Sequence, residues 1–400
     1  MIIIVLLITF LILAGYYFFI KNNYQLVLLL IFKFFILYFV LNLNEIIITV
    51  YLFFAVCIFY VLIFISKNIK VKNYKEYILF LLILIFVFIF SGCNKKQVEM
   101  PVVEKIIKLN FMPSDISYLN NNEILVGAER ENKIAIVDIN TGSIKKNINS
   151  GMNAVDILIK DNFIYSANKA SSNITIHNLL KNETINMQSG GQYPSAIALN
   201  NEKKLLYVAN TGSSNISIID IQSKKIKGKI PTEKWPSDIL ITKDNKYLYV
   251  PCKYTNVIQL IDAEKEKCLF TKIEAGISPT QLIELNKRYI AIINEWEYSF
   301  NQQSTVNIFD KKEYDLKYNI RVDGGIFKGA LSKSKKYLYI TVPLKDKIIF
   351  VDISKKEKVF EIIQKDKCPR FISVSADGKY IFVSCQTSKE IVVIKVNGLL

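Results

Sequence analysis

The chain has 400 residues and a formal net charge of +16, and 51% of its residues are hydrophobic while 22% are charged. This balance excludes an intrinsically disordered chain, which would be poor in apolar residues. The single His excludes His-rich metal centres and bis-His haem ligation. No metal site and no cofactor is predicted.

The N-terminal region is much more apolar than the rest of the chain. Residues 1–93 contain six Lys, two Glu, no Arg and no Asp, so most of the surplus positive charge lies further along the chain. Three apolar runs approach the ~20 residues that a helix needs to cross a bilayer. They are residues 2–20, about 25–43 and about 47–65. Residues 1–66 are therefore predicted to form transmembrane helices.

A fourth apolar run, residues 77–90, is shorter than the three spans. A cluster of four lysines between Lys67 and Lys75 precedes it, and Ser91-Gly92-Cys93 follows it. A basic region, a short apolar core and small residues are typical of a secretory signal. The ending resembles the bacterial lipoprotein signal, with Phe90 in place of the usual Leu, which makes Cys93 a candidate for lipidation.

Residues 67–93 are therefore either a short transmembrane segment or a lipoprotein-type signal, in which case translation begins near Val71. In both cases the lysine cluster is expected to remain in the cytoplasm, because positive charges favour that side. Residues 94–102 are predicted to be a linker. The remainder of the chain, residues 103–400, is predicted to lie on the extracytoplasmic side of a bacterial cytoplasmic membrane.

Residues 103–400 contain a repeat that occurs seven times. Its units align at entry positions, each at the start of a short apolar segment, separated by 41, 40, 42, 43, 47 and 43 residues. The entry positions are Pro113, Ala154, Pro194, Pro236, Pro279, Ile326 and Pro369.

Each unit has the pattern of four short strands joined by turns, as in residues 236–277. Runs such as Ile348-Ile349-Phe350-Val351 are apolar on both faces, whereas a strand covered on one side only would alternate. Four-stranded sheets stacked face to face around an axis bury both faces, and a period of 40 to 45 residues fits a β-propeller blade. The sequence therefore predicts an all-β, seven-bladed β-propeller preceded by a helical membrane region.

The two ends of the repeat region complement each other. Only 31 residues follow Pro369, too few for a fourth strand in the last unit. Residues 103–112 form an unassigned strand ahead of the first unit. We expect this strand to complete blade seven, which would close the ring and leave no open edge.

Residues 207–220, YVANTGSSNISIID, resemble the YVTN-type repeats of extracytoplasmic seven-bladed propellers. The resemblance covers about residues 103–400. That repeat family includes surface-layer and periplasmic binding proteins and is related to lactonases and to haem- or quinone-dependent propeller enzymes. The resemblance thus implies the fold and leaves binding and catalysis open.

In such a propeller the first strand of each blade lines the central channel. The loops that enter these strands share one face with the loops between second and third strands, and we call this the funnel face. Residues flanking the entry positions, including Ser114, Ser195, Ser237 and Thr280, are expected there. The candidate ligand-binding residues are Tyr193, Trp235, Tyr254, Glu295, Trp296, Tyr298 and Arg370.

Exposed aromatic side chains beside charged ones can bind sugars, peptides or planar ligands. Alternatively, Trp296 and Phe300 fold down to cover their own insertion. No catalytic residue is predicted. His177 occupies a third-strand position that is apolar in the other units, so a buried structural role is favoured over catalysis.

Four cysteines lie in the repeat region. An exported location permits disulfides. Cys368 and Cys385 are expected near the same end of adjacent strands, where either a bond or two free thiols would fit. Cys252 and Cys268 are expected at opposite ends of their blade and should not pair.

The sequence favours a binding or scaffolding module over an enzyme. Its expected partners are the membrane and a cell-envelope polymer, a peptide or another protein. Nucleic acid is disfavoured because the lysines are scattered around the ring. The alternative is a propeller enzyme, a lactonase-like hydrolase or cofactor-dependent oxidoreductase, with its site in the central funnel. A convergent acid pair there would favour the enzyme.

Overall fold

A computed structural model describes residues 100–200, 202–295 and 304–396. These residues belong to the second of two compact units, Lys96–Leu400. Within the described ranges, no helix is long and apolar enough to cross a bilayer. The predicted transmembrane helices, the segment with Cys93, and Trp296 and Tyr298 lie outside the described residues.

The described chain forms seven four-stranded antiparallel sheets, which are the blades of a β-propeller. The first strand, β1 (Val102–Lys108), belongs to blade 7. Blade 1 contains β2 (Pro113–Asn120), β3 (Glu123–Ala128), β4 (Lys133–Asp138) and β5 (Ile144–Asn149). Blade 2 contains β6 (Ala154–Lys160), β7 (Phe163–Asn168), β8 (Asn173–Asn178) and β9 (Glu183–Gln188). Blade 3 contains β10 (Pro194–Asn200), β11 (Leu205–Asn210), β12 (Asn215–Asp220) and β13 (Lys225–Pro231).

The remaining blades follow in chain order. Blade 4 contains β14 (Leu240–Ile241), β15 (Tyr247–Cys252), β16 (Val257–Asp262) and β17 (Lys267–Glu274). Blade 5 contains β18 (Pro279–Glu284), β19 (Tyr289–Asn294), β20 (Ser304–Asp310) and β21 (Asp315–Val322). Blade 6 contains β22 (Gly329–Leu331), β23 (Tyr337–Val342), a 3-10 turn (Pro343–Lys345), β24 (Lys347–Asp352) and β25 (Glu357–Ile363). Blade 7 contains β26 (Pro369–Val374), β27 (Tyr380–Cys385), β28 (Glu390–Lys395) and β1.

The predicted repeat register is confirmed. Five of the seven entry positions are the first residues of their strands, namely Pro113, Ala154, Pro194, Pro279 and Pro369. Pro236 pairs with Cys252 as an isolated bridge ahead of β14, and Ile326 precedes β22 by a short loop.

The predicted ring closure is also confirmed. Strand β1 pairs antiparallel with β28, so the strand order of blade 7 is β1-β28-β27-β26. Ile107 on β1 is 2% exposed and packs in a cluster that contains residues of both blade 7 and blade 1. The N-terminal strand therefore holds the first and last blades together.

Hydrophobic side chains fill the space between neighbouring blades. The cluster between blades 3 and 4, for example, joins Tyr207 and Ile218 to Leu248 and Val250. Because each sheet has a neighbour on both sides, its central strands are buried on both faces, as the absence of alternation in the sequence indicates.

The Asp residues that end most third strands have a structural role. Oδ1 of Asp138 accepts a 2.8 Å hydrogen bond from the N–H of Thr141, and Oδ1 of Asp220 accepts a 2.7 Å bond from that of Ser223. Asp262, Asp310 and Asp352 make the same kind of bond. Each carboxylate therefore starts the turn into the fourth strand.

Candidate functional site

Two backbone positions on the funnel face are bonded in the same way in six blades. The residue after the second strand donates its N–H to the carbonyl of the residue before the first strand. These bonds are Glu129 to Met112 (2.9 Å), Lys169 to Asn153 (2.8 Å), Thr211 to Tyr193 (3.1 Å), Lys253 to Trp235 (2.8 Å), Glu295 to Ser278 (2.9 Å) and Gln386 to Cys368 (3.1 Å). The side chains at these two positions are therefore arranged around the channel mouth.

The residue before the first strand has a left-handed backbone in most blades. The φ angle is 54° at Tyr193 and 62° at Trp235. The equivalent residues with positive φ in other blades are Asn153, Ser278, Gly325 and Cys368. Left-handed backbone is unfavourable for bulky side chains, so two aromatic residues at this position are unusual.

Three of the predicted site residues are exposed aromatic side chains of the neighbouring blades 3 and 4, namely Tyr193, Trp235 and Tyr254, and we call this set the aromatic strip. They are 52%, 47% and 60% exposed, respectively. The rings of Trp235 and Tyr254 meet edge to face with centroids 5.3 Å apart. Nζ of Lys234 lies 5.3 Å from the Tyr254 ring centroid, which adds a cation–π contact.

Tyr193 is positioned by the loop between the second and third strands of its own blade. A Cβ atom on Gly212 would lie 2.6 Å from Cδ2 of Tyr193, so glycine is required for the ring to rest there. The adjacent Thr211 donates a 2.7 Å hydrogen bond from Oγ1 to the carbonyl of Pro236. The loop that supports Tyr193 is thereby bonded to the residue that follows Trp235.

Two other predicted residues lie at the mouth in different surroundings. Glu295 forms an ion pair with Lys253, in which Oε2 of Glu295 lies 2.9 Å from Nζ of Lys253, and both side chains are largely shielded from solvent. Arg370 stacks over Phe327, with its guanidinium carbon 4.5 Å from the ring centroid. Arg370 also donates a 3.0 Å hydrogen bond to Gln386, whose amide in turn bonds Glu129.

A positively charged group forms at this mouth from three different blades. We call it the cationic mouth and define it as Lys169, Lys253 and Arg370. Surrounding protein lowers the pKa of the Lys169 ammonium, and the charges of Arg370 and Lys253 lower it further, while Glu295 opposes this effect. No ion pair joins Lys169 to a carboxylate within the described ranges, so its charge is not directly neutralised there.

Polar side chains line the channel two residues after the entry positions. They are Asp115, Asp156, Asp238, Gln281 and Lys328. All except Asp238 border a cavity of about 170 Å³. No group of three or more His, Cys, Asp or Glu side chains within the described part of the chain is arranged to hold a metal ion.

The channel carboxyl groups titrate abnormally. Burial raises the pKa of Asp115, and the nearby Asp156 raises it further, while Lys328 acts in the opposite direction. Burial likewise raises the pKa of Asp156 and of Asp238, again opposed by Lys328. The positive charge of Lys328 therefore offsets only part of the rise in the pKa values of Asp115, Asp156 and Asp238.

The hydroxyl groups after the entry positions bond the next blade rather than pointing into the funnel. Oγ of Ser114 donates to the carbonyl of Ala154 at 2.5 Å, and Oγ of Ser237 to that of Pro279 at 2.8 Å. Ser195 and Thr280 make equivalent bonds to Pro236 and Phe327. Their role is therefore to join neighbouring blades.

His177 lies on the third strand of blade 2, away from the channel, and is 1% exposed. Its Nδ1 is 2.8 Å from Oγ1 of Thr184, and its Nε2 has no hydrogen-bond partner among the described residues. Burial lowers the pKa of His177, and Lys146 adds to the effect. The burial of His177 and its contact with Thr184 indicate a structural role, as the sequence predicts.

No disulfide joins the four cysteines of the propeller, all of which are described residues. The prediction that Cys252 and Cys268 lie at opposite ends of their blade agrees with the strand register, in which Cys252 is opposite Val257 at the start of β16 and Cys268 is opposite Ile261 near its end. The side-chain amide of Gln259 lies between the two sulfur atoms, at 3.4 Å from that of Cys252 and 3.5 Å from that of Cys268.

Sequence reasoning missed the channel acids and the lysines of the mouth. The acids have a signal, because Pro-Ser-Asp occurs at residues 113–115 and again at 236–238, and Ala-Val-Asp at 154–156. Lys169 and Lys253 have a weaker one, since each directly follows the second strand of its blade.

Comparison with known proteins agrees with the seven-bladed fold. A family model described as "Lactonase, 7-bladed beta-propeller" matches residues 120–229 and 293–399, which is more than half of the chain. The chain belongs to this lactonase family of seven-bladed propellers. Among solved structures, this family member is similar to Kuenenia stuttgartiensis hydrazine synthase, with a TM-score of 0.61, 17% identity, and coverage of 74% of this chain and 98% of that one.

At that identity the likeness to the hydrazine synthase chain concerns the fold alone. None of the curated proteins compared with this lactonase-family propeller matches it. Family membership by itself does not assign an activity, because one fold hosts many functions.

Proposed function

We propose that this protein is a membrane-tethered, extracytoplasmic binding module that uses the funnel face for its ligand. The observation that carries the proposal is the aromatic strip of Tyr193, Trp235 and Tyr254, whose side chains are about half exposed. Large aromatic side chains on a soluble protein are normally buried, and clusters that remain exposed mark interaction sites.

The proposed location rests on the sequence. The three apolar runs within residues 1–66 have the length of membrane spans, and the lysine cluster from Lys67 to Lys75 favours a cytoplasmic position. The YVTN-type pattern and the lipoprotein-like ending at Cys93 support export. The expected partners on the outer side are a cell-envelope polymer, a peptide or a protein.

Binding is tested by presenting the full chain, in neutral nanodiscs, to arrays of glycans and peptides. We expect captured ligands, with signals lost in Trp235→Ala and in Tyr254→Ala. The matched control is Leu180→Ala, which removes a 76% exposed apolar side chain from the turn between β8 and β9, on the opposite face. Absence of any captured ligand, or equal loss in all three variants, would overturn the proposal.

The tether is tested at the N-terminus of the mature protein. Mass spectrometry of the protein from its native membrane should find either an acylated Cys93 as the first residue or peptides from residues 1–66. A Cys93→Ser variant distinguishes the two cases, because only a lipoprotein would be released from the membrane or remain unprocessed. A mature protein that lacks both features would contradict the proposed anchoring.

A second candidate is a hydrolase with its site in the central channel. The specific observation in its favour is the pair Asp115 and Asp156, whose raised pKa values beside Lys328 are typical of acid–base catalysts. A carboxyl group that stays neutral near pH 7 can donate a proton, and its ionised neighbour can accept one. Each of these carboxylates also bonds the next blade, a structural role that competes with this interpretation.

The second candidate is tested with simple sugar δ-lactones in a pH-stat. Hydrolysis that falls at least 100-fold in Asp115→Asn, but is kept in Asp377→Asn, would support an enzyme. Asp377 is a suitable control because it lies in the turn between β26 and β27 and its side chain is 43% exposed. Rates indistinguishable from those of the uncatalysed reaction would exclude this lactonase activity.

A further inference from the structure

The aromatic strip occupies backbone that is costly for its side chains. Tyr193 and Trp235 have φ angles of 54° and 62°, whereas the other residues with positive φ at this position are Asn, Ser, Gly or Cys. Both rings are about half exposed, so burial in a core offsets little of the strain. Strained residues that packing does not explain are concentrated at binding sites.

The cationic mouth adjoins this strip through one hydrogen bond. The N–H of Lys253 donates to the carbonyl of Trp235 at 2.8 Å, which links an aromatic position directly to a cationic one. Lys169 occupies the corresponding position in blade 2, and Arg370 follows the entry position of blade 7. The aromatic rings of the strip and the positive charges of the cationic mouth therefore lie side by side on the funnel face.

The charges at the mouth are only partly neutralised. Glu295 pairs with Lys253, and Glu129 is held by Gln386, to which Arg370 also bonds. Lys169 forms no ion pair with a described carboxylate. An acidic group placed over the mouth would therefore meet an ammonium group that is in no direct ion pair with a described carboxylate, since Glu295 acts on it only from a distance.

We propose that the funnel face binds an anionic glycan, with its sugar rings on Tyr193, Trp235 and Tyr254 and its acidic groups over Lys169, Lys253 and Arg370. The apolar face of a sugar ring packs well on an aromatic ring, and cations bind carboxylate or phosphate substituents. This assignment rests on the proposed binding function and names its ligand class.

The arrangement favours a glycan over a nucleic acid. Nucleic-acid grooves place cations along the whole track of stacked bases, so that each phosphate has a partner. Here the three cations converge at the mouth, and among the described residues only Lys234 lies against a ring of the strip. A continuous track of cations beside the aromatic rings is absent from the described part of this face.

The experiment uses the full chain in neutral nanodiscs and two matched probes. One is a trigalacturonate, and the other is its methyl ester, which has the same rings but no charge. We expect the acid to bind at least tenfold more tightly than the ester. An oligomer of glycerol phosphate, tested alongside, distinguishes a phosphate-bearing polymer from a uronate-bearing one.

Two substitutions should separate the two parts of the site. Lys169→Gln should bring the affinities of acid and ester together, because it removes a charge contact and leaves the rings in place. Trp235→Ala should weaken both probes by a similar factor. Lys181→Gln, in the turn between β8 and β9, and Leu180→Ala are the matched controls, and all variants should retain the wild-type thermal midpoint.

Each other outcome has a defined meaning. Equal binding of acid and ester, with loss in Trp235→Ala, would overturn the anionic ligand class and leave the binding function standing. If neither trigalacturonate nor its methyl ester binds, while the arrays capture other ligands through Trp235, the anionic glycan is again overturned and the binding function stands. Tighter binding of poly-glutamate or an oligonucleotide would overturn the glycan assignment. No captured ligand of any kind would overturn both proposals.

Discussion

Oδ2 of Asp156 in blade 2 accepts a 2.7 Å hydrogen bond from the N–H of Ile197 in blade 3. The same bond joins Asp115 to Ile157 and Asp238 to Leu282, both at 2.7 Å. In blade 5 the amide oxygen of Gln281 replaces the carboxylate and accepts from Gly329 at 2.8 Å. The inner strands of neighbouring blades are therefore connected by side chains that also line the channel.

The first prediction concerns the bond between Asp156 and Ile197. Asp156→Ala removes the acceptor and leaves a buried N–H unsatisfied, so we expect the free energy of unfolding to fall by about 1–3 kcal/mol. Asp156→Asn retains an acceptor, as Gln281 does in blade 5, and should stay close to wild type. Urea denaturation at pH 5 measures the difference. Equal destabilisation by both substitutions would show that the bond itself contributes little.

The second prediction concerns pH. Asp115 and Asp156 have raised pKa values in the folded state, so between pH 4 and the raised values the folded chain binds more protons than the unfolded chain. Their contribution therefore makes stability fall as pH rises through this window. The double variant Asp115→Asn, Asp156→Asn should lose this component. Thermal midpoints from pH 5 to 8 should decline less in the variant, and parallel curves would contradict the assignment.

The third prediction concerns His177, whose pKa is lowered in the folded state. The folded chain then binds fewer protons than the unfolded chain as pH falls below about 6.5, so this group destabilises the fold at acid pH. His177→Val introduces the residue type found at the equivalent Val137 and Val351. We expect the variant to be more stable than wild type at pH 5, and the gain to shrink by pH 8. A gain independent of pH would point to packing alone.

The fourth prediction concerns ring closure by β1. Ile107→Ala removes a buried side chain between blades 7 and 1 and should cost about 2–5 kcal/mol. The matched control is Ile106→Ala. Ile106 is the neighbour of Ile107 on the same strand and is 43% exposed, so its truncation should change stability little. Denaturation followed by far-UV circular dichroism should show one cooperative transition at lower urea for Ile107→Ala. Loss of a single blade's signal would contradict closure as the determinant of the whole ring.

The sequence predicts the fold closely because the repeat supplies seven observations of one pattern. The entry positions at Pro113, Ala154, Pro194, Pro279 and Pro369 begin strands as predicted, and the closing strand pairs as predicted. The turn function of the third-strand Asp residues also follows from local chemistry. These features depend either on residues that are close in sequence or on the regular spacing of the repeat, and the sequence alone shows both.

The candidate site could be predicted only in outline. Tyr193, Trp235, Tyr254, Glu295 and Arg370 do lie on the funnel face, as the register implies. The serines flanking the entry positions were expected there too, but their hydroxyls bond the adjacent blade. The direction of a small side chain depends on which carbonyl comes within reach, and that carbonyl is some 40 residues away in sequence.

By itself, the sequence determined that the chain builds seven sheets, that they close through the N-terminal strand, and where each blade starts. The tertiary structure decided which charges meet. Lys169, Lys253 and Arg370 come from blades 2, 4 and 7 and influence one another only because the ring brings the inner ends of all blades to one axis. Coulombic interaction depends on distance in space, so convergence of groups two hundred residues apart appears only once the ring is closed.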